Sequence, residues 1–444
     1  MAVQELEGYH GQVLQQLKKS KAKIGSILRL TSKSNEVFEG TLIPRSDYSD
    51  HTHIVLKMKN GYNIGISLDR TQKLEVIGEG EKPHFTKPSP PANHAGLPKV
   101  AIVSTGGTIA SRVDYRTGAV QPALTAADLA SVVPELSSIA EIDTHILFSE
   151  YSENIGPTHW KIMADEVAKR IANGAEGVVI SHGTDSLHYT GAALSFAVAN
   201  LPVPVLLVGA QRSSDRPSSD AAPNLTGAVA LAALADMAAV GIAMHQDLSD
   251  HIVVAHRGTR VRKCHTSRRD AFKSINSEPL ASYDLKTGQI EMTNGVPKRD
   301  KSRKLVVKSR FDQHAYLIKF YPGFDSGMID SAMSRGVRGI VLEGTGLGHV
   351  SRALIDSLKK ALKREVPVFM TSQTIWGRVD MNVYNTGRDL LNLGVIPLED
   401  MISETAIVKL MWVLAQTRSA SKIREMMLRP NAGDITPRTL VEAS

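Results

Sequence analysis

A single cysteine, Cys264, stands in a chain of 444 residues. A lone thiol excludes an internal disulfide framework and a multi-cysteine metal site, and it fits a reducing compartment, with the cytoplasm as the default. No apolar run approaches the roughly 18 residues needed to span a bilayer. The start, Met1-Ala-Val-Gln-Glu-Leu-Glu-Gly8, lacks a basic stretch followed by an apolar one, so a soluble, unexported protein is expected. Neither a Gly-x-x-x-x-Gly-Lys-Ser/Thr loop nor a Gly-x-Gly-x-x-Gly turn opening a helix is present, which leaves nucleotide binding without direct support. His51, His53, His182 and His256 lack zinc-ligand spacing. No metal or cofactor is therefore expected in this chain.

What is present is ordinary globular composition, 42% hydrophobic and 22% charged, in a chain too long for one core, so two or three domains are expected. The formal charge is +7 and the pI about 9.2. Cations gather at Lys18 to Lys23, Arg257 to Arg269, Lys298 to Arg310 and near the carboxyl terminus at Arg418, Lys422, Arg424, Arg429 and Arg438. Such runs suit either a polyanionic partner or solvated faces.

Residues 1–78 carry period-two stretches, Gly25-Ser-Ile-Leu-Arg-Leu30, Glu36 to Ile43, His53-Ile-Val-Leu-Lys-Met58 and Tyr62 to Leu68, punctuated by Asn60-Gly61. Four or five short strands in so few residues indicate a small SH3-like β-barrel. Residues 79–98 are proline-rich and read as a linker. From Lys99 the pattern becomes strands alternating with helices, an α/β body with a largely parallel sheet over 99–297. A charged connection, 298–312, leads to a smaller α/β unit over 313–444. Strands are expected at 99–104, 142–148, 177–181, 203–209, 252–255, 316–321 and 367–371. Helices are expected from Thr125, over a face carrying Trp160, Met163, Val167 and Ile171, at 224–240 and at 404–416.

Two strands end in similar turns. Lys99-Val-Ala-Ile-Val-Ser104 runs into Thr105-Gly-Gly-Thr108, and Gly177-Val-Val-Ile-Ser181 into His182-Gly-Thr-Asp185. If these strands are parallel neighbours, Thr108 and Thr184 meet at the carboxyl edge of the sheet, where open α/β folds bind ligands. A threonine hydroxyl needs a base or an orienting charge to act as a nucleophile. Asp185 and Lys263 could supply them, in an arrangement suited to acyl transfer. Thr184 and Asp185 equally suit as helix caps, and Lys263 as one cation of a basic hairpin. His182 reads as a structural group below the site. Cys264 sits among cations that could lower its pKa, without a histidine partner beyond His265. Glu343-Gly-Thr-Gly-Leu-Gly348 reads as a turn lining a pocket between domains.

The combination of Ser104-Thr-Gly-Gly-Thr-Ile-Ala-Ser111, Ser152-Glu-Asn-Ile-Gly-Pro157, His182-Gly-Thr-Asp185, Gly258-Thr-Arg-Val-Arg-Lys263 and Ala271-Phe-Lys-Ser274 resembles the two-domain L-asparaginases. The resemblance covers most of residues 99–430. It implies Thr108 as the nucleophile on a side-chain amide and Thr184, Asp185 and Lys263 as the second catalytic group. Tyr115 resembles the tyrosine of a mobile lid, here the loop from Ser111 to Gln121. Ser152 and Glu153, with Asp185, correspond to positions that hold the ends of the substrate. Ser186 replaces the family's second threonine and keeps a hydroxyl. The leading barrel, absent from free-standing asparaginases, and Asn60-Gly-Tyr-Asn-Ile-Gly-Ile66 resemble the D-subunit family of archaeal glutamyl-tRNA(Gln) amidotransferases.

That family implies an amidohydrolase, a glutaminase or asparaginase, that passes ammonia to an E subunit. The E subunit would use ATP and Mg to amidate Glu-tRNA(Gln). A homodimeric core within a heterotetramer is implied as well. A free-standing cytoplasmic L-asparaginase with an accessory barrel is the alternative.

Overall fold

The computed structural model describes residues 6, 8–43, 45, 50–58, 63–79, 96–107, 111–113, 120–122, 133, 135–212 and 219–439. The helix expected from Thr125 lies outside them. Among the described residues no helix is long and apolar enough to cross a membrane.

The amino-terminal unit is a five-stranded antiparallel sheet of β1 (Ser26–Ser32), β2 (Val37–Leu42), β3 (His53–Met58), β4 (Asn63–Ser67) and β5 (Thr71–Glu79), in the order β4-β3-β2-β1-β5. Alternate residues such as Leu28 and Leu30, Leu42, and Ile54 and Leu56 are buried on one face, as period-two strands over a single core require. Sequence reading missed a helix, α1 (Gly11–Lys19), which lays Val13 and Leu17 into that core. Its signal was present in the four-residue spacing of these two residues. Tyr9 fastens the entry to the helix, its hydroxyl donating to Ile43 O at 2.8 Å, and burial pushes its pKa up to about 12.

The larger domain is built on an eight-stranded sheet. Its strands are β6 (Lys99–Ser104), β9 (Glu141–Ile146), β10 (Gly177–Ser181), β12 (Val205–Val208), β13 (Val240–His245), β14 (Ile252–Arg257), β17 (Ala281–Asp284) and β18 (Ile290–Met292). The order is β18-β17-β14-β13-β12-β10-β6-β9, parallel from β9 to β13 and antiparallel beyond. Between β6 and β9 the short strands β7 (Ser111–Val113) and β8 (Val120–Pro122) pair antiparallel. Both faces are covered. Val178 and Ile180 of β10 pack toward α3 (Pro157–Ala172) and α4 (Leu187–Ala197), while Val179 packs toward α5 (Ala221–Leu234). A short helix, α2 (Leu136–Ile139), flanks β9. Helix α3 starts on Pro157, whose ring suits the first turn. It buries Trp160, Met163 and Val167 and stops at Asn173-Gly174, where Gly174 takes φ +91°.

The helix expected at 224–240 ends instead at Leu234, and Val240 begins a strand. The alanine-rich run has no local stop. Its terminal carbonyls are collected from a distance by Arg299, which donates to Ala235 O at 2.6 Å and Ala232 O at 2.5 Å. The connection 298–312 is thus strapped to the larger domain. It also supplies β19 (Val306–Val307), which pairs with β11 (Val198–Ala199).

The smaller domain is a parallel sheet of β20 (Ala315–Lys319), β21 (Gly339–Gly344), β22 (Val368–Ser372) and β23 (Ile396–Pro397), with helices α6 (Gly327–Ser334), α7 (Ile355–Lys363), α8 (Asn385–Leu393), α9 (Ser403–Gln416) and α10 (Ala420–Leu428). Phe196 of α4 stacks on Trp412 of α9, centroids 5.8 Å apart, within one core shared by both domains.

Candidate active site

Strands β6 and β10 are direct parallel neighbours, with Ser104 opposite Ser181, so their terminal turns lie side by side. Thr105 is turned inward, its Oγ1 donating to Ser181 O at 2.7 Å. Gly106 and Gly107 take φ of +104° and +86°, a region that L side chains rarely adopt. A Cβ on Gly107 would stand 2.3 Å from Gly183 N. The two turns therefore touch backbone to backbone at Gly107 and Gly183. Thr108 and Tyr115 themselves lie outside the described residues, as does most of the expected lid.

Thr184 is buried and Asp185 exposed at the end of β10. Neither caps α4 in place of Ser186, which stands at the N-cap position without a side-chain cap bond. The hydroxyl of Ser186 donates instead to Ser152 O. Both candidate side chains meet Lys263, whose Nζ lies 2.9 Å from Thr184 Oγ1 and 2.7 Å from Asp185 Oδ1. Lys263 reaches them from the hairpin of β15 (Val261–Lys263) and β16 (Phe272–Ser274), anchored by fully buried Phe272. Ser152 is buried in the single turn Ser152–Asn154, and a Cβ on Gly183 would stand 2.8 Å from its Cβ. Glu153 is exposed in the same turn. The arrangement thus gathers Thr184, Asp185, Lys263, Ser152 and Glu153 around the carboxyl ends of β6 and β10.

Beneath them His182 is wholly buried. Its Nδ1 lies 2.7 Å from Gly183 O and its Nε2 2.9 Å from Thr190 Oγ1, which also accepts from Trp160 Nε1 at 3.1 Å. Burial pushes its pKa down to about 4, so it is a neutral hydrogen-bonding support. His188, in the first turn of α4, is also buried and held near 3 by burial and by the charges of Arg262 and Lys263. Sequence reading passed over His188 because an isolated helical histidine carries no local signal.

Two points that the sequence leaves open become narrower. Partial burial pushes the Cys264 thiol up, against the opposing charge of Arg262, so the surrounding cations do not activate it. The run Arg257 to Arg269 is largely consumed within the protein. Arg260 is buried against Asp400, Arg262 pairs with Glu404, Lys263 with Asp185, Arg268 with Asp270 and Arg269 with Asp250. The turn at Glu343 to Gly348 closes on itself through Thr345 and His349, and Glu343 pairs with Lys319 at 3.4 Å.

Residues 99–297 match the family model of the asparaginase N-terminal domain, residues 315–427 that of the glutaminase/asparaginase C-terminal domain, and residues 22–77 that of the GatD N-terminal domain. The chain is 48% identical over 427 residues to the D subunit of glutamyl-tRNA(Gln) amidotransferase from Pyrococcus abyssi, covering 95% of this chain and 97% of that one. It is 46% identical over 436 residues to the D subunit from Methanopyrus kandleri, covering 97% and 95%. Among solved structures it resembles the thermostable L-asparaginase from Thermococcus kodakarensis, with a TM-score of 0.68 and 33% identity over 77% of this chain and 100% of that one. L-asparaginase I from Vibrio cholerae aligns with a TM-score of 0.65 and 28% identity, over 77% and 99%. With the asparaginase body and the additional amino-terminal domain both matched, the chain belongs to the D-subunit family of glutamyl-tRNA(Gln) amidotransferases.

Proposed function

We propose that this chain is the amidohydrolase subunit of a glutamyl-tRNA(Gln) amidotransferase, releasing ammonia from glutamine or asparagine for amidation of Glu-tRNA(Gln) by a partner subunit. The observation that carries the reading is the contact of Lys263 Nζ with both Thr184 Oγ1 and Asp185 Oδ1 beside the Gly106-Gly107 turn. It is a preorganised hydroxyl, amine and carboxylate set at the sheet edge where a second threonine follows. The near full-length likeness to amidotransferase D subunits, amino-terminal domain included, favours this reading over a free-standing asparaginase.

In this reading Thr108 Oγ adds to the side-chain carboxamide carbon, and the hydroxyl proton goes to the leaving nitrogen. Ammonia departs and leaves an acyl ester on Thr108. Water then attacks the ester, the acid is released and the threonine hydroxyl is restored. Backbone N–H groups of the glycine turn face the developing oxyanion. Thr184, with its hydroxyl oriented by Lys263, serves the proton transfers, and Tyr115 closes over Thr108. Asp185 binds the substrate ammonium, and Ser152 and Glu153 hold the remaining polar ends. No cofactor acts in this chain, and ATP and Mg belong to the E subunit. A homodimeric core flanked by two partners, working in the cytoplasm, completes the reading.

The test is ammonia release from glutamine and from asparagine by the purified chain, alone and with partner subunit and glutamylated tRNA. Activity is expected to be low alone and strongly raised in the complex. Full uncoupled activity of the lone chain would sink the amidotransferase reading.

A further inference from the structure

At the amino end of β13, across the sheet from the catalytic turns, a cavity of about 720 Å³ opens between the two domains. Pockets of this size commonly hold small molecules. Among the described residues its wall carries Arg257, Arg303, Lys308 and Arg429 and no aspartate or glutamate. Arg303 shares Asp300 at 3.6 Å and donates to Leu201 O at 3.2 Å. Among the described residues the side-chain cations of Arg257, Lys308 and Arg429 have no carboxylate partner.

Arg257 is the deepest of them. Burial and the charge of Arg260 both act against its protonated form, and a half-buried cation without a counter-charge is costly unless an anion supplies one. Ser195, Asn200 and Asn431 add uncharged polar groups to the wall, and an apolar stretch of it is formed by Val198, Val306 and Met426 beside the Phe196–Trp412 stack. The site is also built. Its floor at Ala432 and Gly433 is tied to the strand that leads to Lys263, because Thr259 Oγ1 donates to Ala432 O at 3.0 Å and Arg260 Nε to Gly433 O at 2.9 Å.

Several unpaired cations call for an anion of more than one charge, and the guanidinium fork matches phosphate oxygens bidentately. The apolar wall calls for a carbon body on the same molecule. We propose that this cavity is a binding site for a small organic phosphate, its phosphate held by Arg257, Lys308 and Arg429 and its body against Val198, Val306 and Met426. The inference is independent of the amidohydrolase reading, since no residue of the catalytic turns takes part.

The test titrates the full-length chain with phenyl phosphate, inorganic phosphate and sodium chloride at matched ionic strength, followed by calorimetry and thermal unfolding. Saturable binding of phenyl phosphate is expected, tighter than inorganic phosphate. Affinity should fall at least tenfold in Arg257→Gln and in the exposed double variant Lys308→Glu/Arg429→Glu, which guards against misfolding at the deeper arginine. Three outcomes overturn the proposal: a response that chloride reproduces, unchanged affinity in the double variant, or equal affinity for the inorganic and organic phosphates.

Discussion

Lys263 Nζ stands 2.7 Å from Asp185 Oδ1, with the lysine side chain 9% exposed and the aspartate side chain 72% exposed. The asymmetry divides the labour. The buried amine is committed to Thr184 and to its neighbour's carboxylate, while the carboxylate keeps a face open toward the crevice. Lys263→Met is therefore expected to lower kcat by roughly 10³-fold, because Thr184 loses the donor that orients its hydroxyl for the proton transfers, with little change in KM. Lys263→Arg should not restore it, because a longer, planar guanidinium cannot reproduce the single Nζ position that meets both Thr184 Oγ1 and Asp185 Oδ1. Asp185→Asn should act chiefly on KM. Steady-state ammonia release in the assembled complex separates these outcomes, and a Lys263→Arg enzyme with near-normal kcat would contradict the assignment.

Gly107 offers a second test. At φ +86°, with the backbone of residue 183 already 2.3 Å from where a Cβ would sit, no rotamer choice relieves Gly107→Ala, since the obstacle is backbone. The two turns must part, which moves Thr108 relative to Thr184 and costs on the order of 1–3 kcal/mol in strain. The expected result is a folded chain with a lowered Tm and at least 100-fold lower kcat, because small displacements at a positioned nucleophile are expensive. Gly174→Ala, at φ +91° but with open space around it, should lower Tm without that loss of activity.

Legibility from sequence followed the range of the interactions. The strands ending at Ser104 and Ser181 and the punctuation after them are local signals, and the described parts of the turns, through Gly107 and through Asp185, follow those strands. The partnership of Lys263 with Thr184 spans 79 positions, so spacing left it open beside the alternative of a basic hairpin. Motif resemblance then favoured the first of these. The end of α5 was misread because its cap, Arg299, arrives from 64 residues away. The basic run around Arg260 suits a polyanionic partner or a solvated face when read locally, and neither reading could include its counter-charges, which come from distant parts of the chain, Asp400 and Glu404 among them.

Arg260 also carries a stake in stability. Its side chain is fully buried and joins the domains through Asp400, at 3.0 Å, and the carbonyl of Gly433. Burial raises the Asp400 pKa, but hydrogen bonds from Arg260 and Thr436 outweigh it and hold the carboxyl below its ordinary value. Arg260→Met strands that carboxylate and should cost about 3–5 kcal/mol. Adding Asp400→Leu should recover a substantial part of the loss, because the second change removes the uncompensated charge. Denaturant unfolding of both variants measures this, and a double variant no more stable than the single one would show that the pair is not acting as a unit.

Acid should find the protein's weakness at its buried histidines. His182 titrates near 4 in the folded chain, against about 6.5 when unfolded. Above pH 6.5 both states are neutral there and the histidine carries no penalty. As pH falls from 6.5 toward 4 the unfolded chain takes up a proton that the folded chain refuses, so stability drops progressively. The drop reaches on the order of 3 kcal/mol and levels off below pH 4. His188 and His256, both held near 3 by burial, add drops of the same sign that continue about a pH unit lower. Replacing His182 by Gln, which does not titrate, should lower stability at pH 7 through the lost contacts with Thr190 and Gly183. It should also flatten the decline between pH 6.5 and 4. Urea unfolding at several pH values compares the slopes, and parallel curves for wild type and His182→Gln would show that His182 is protonated in the folded chain as readily as in the unfolded one.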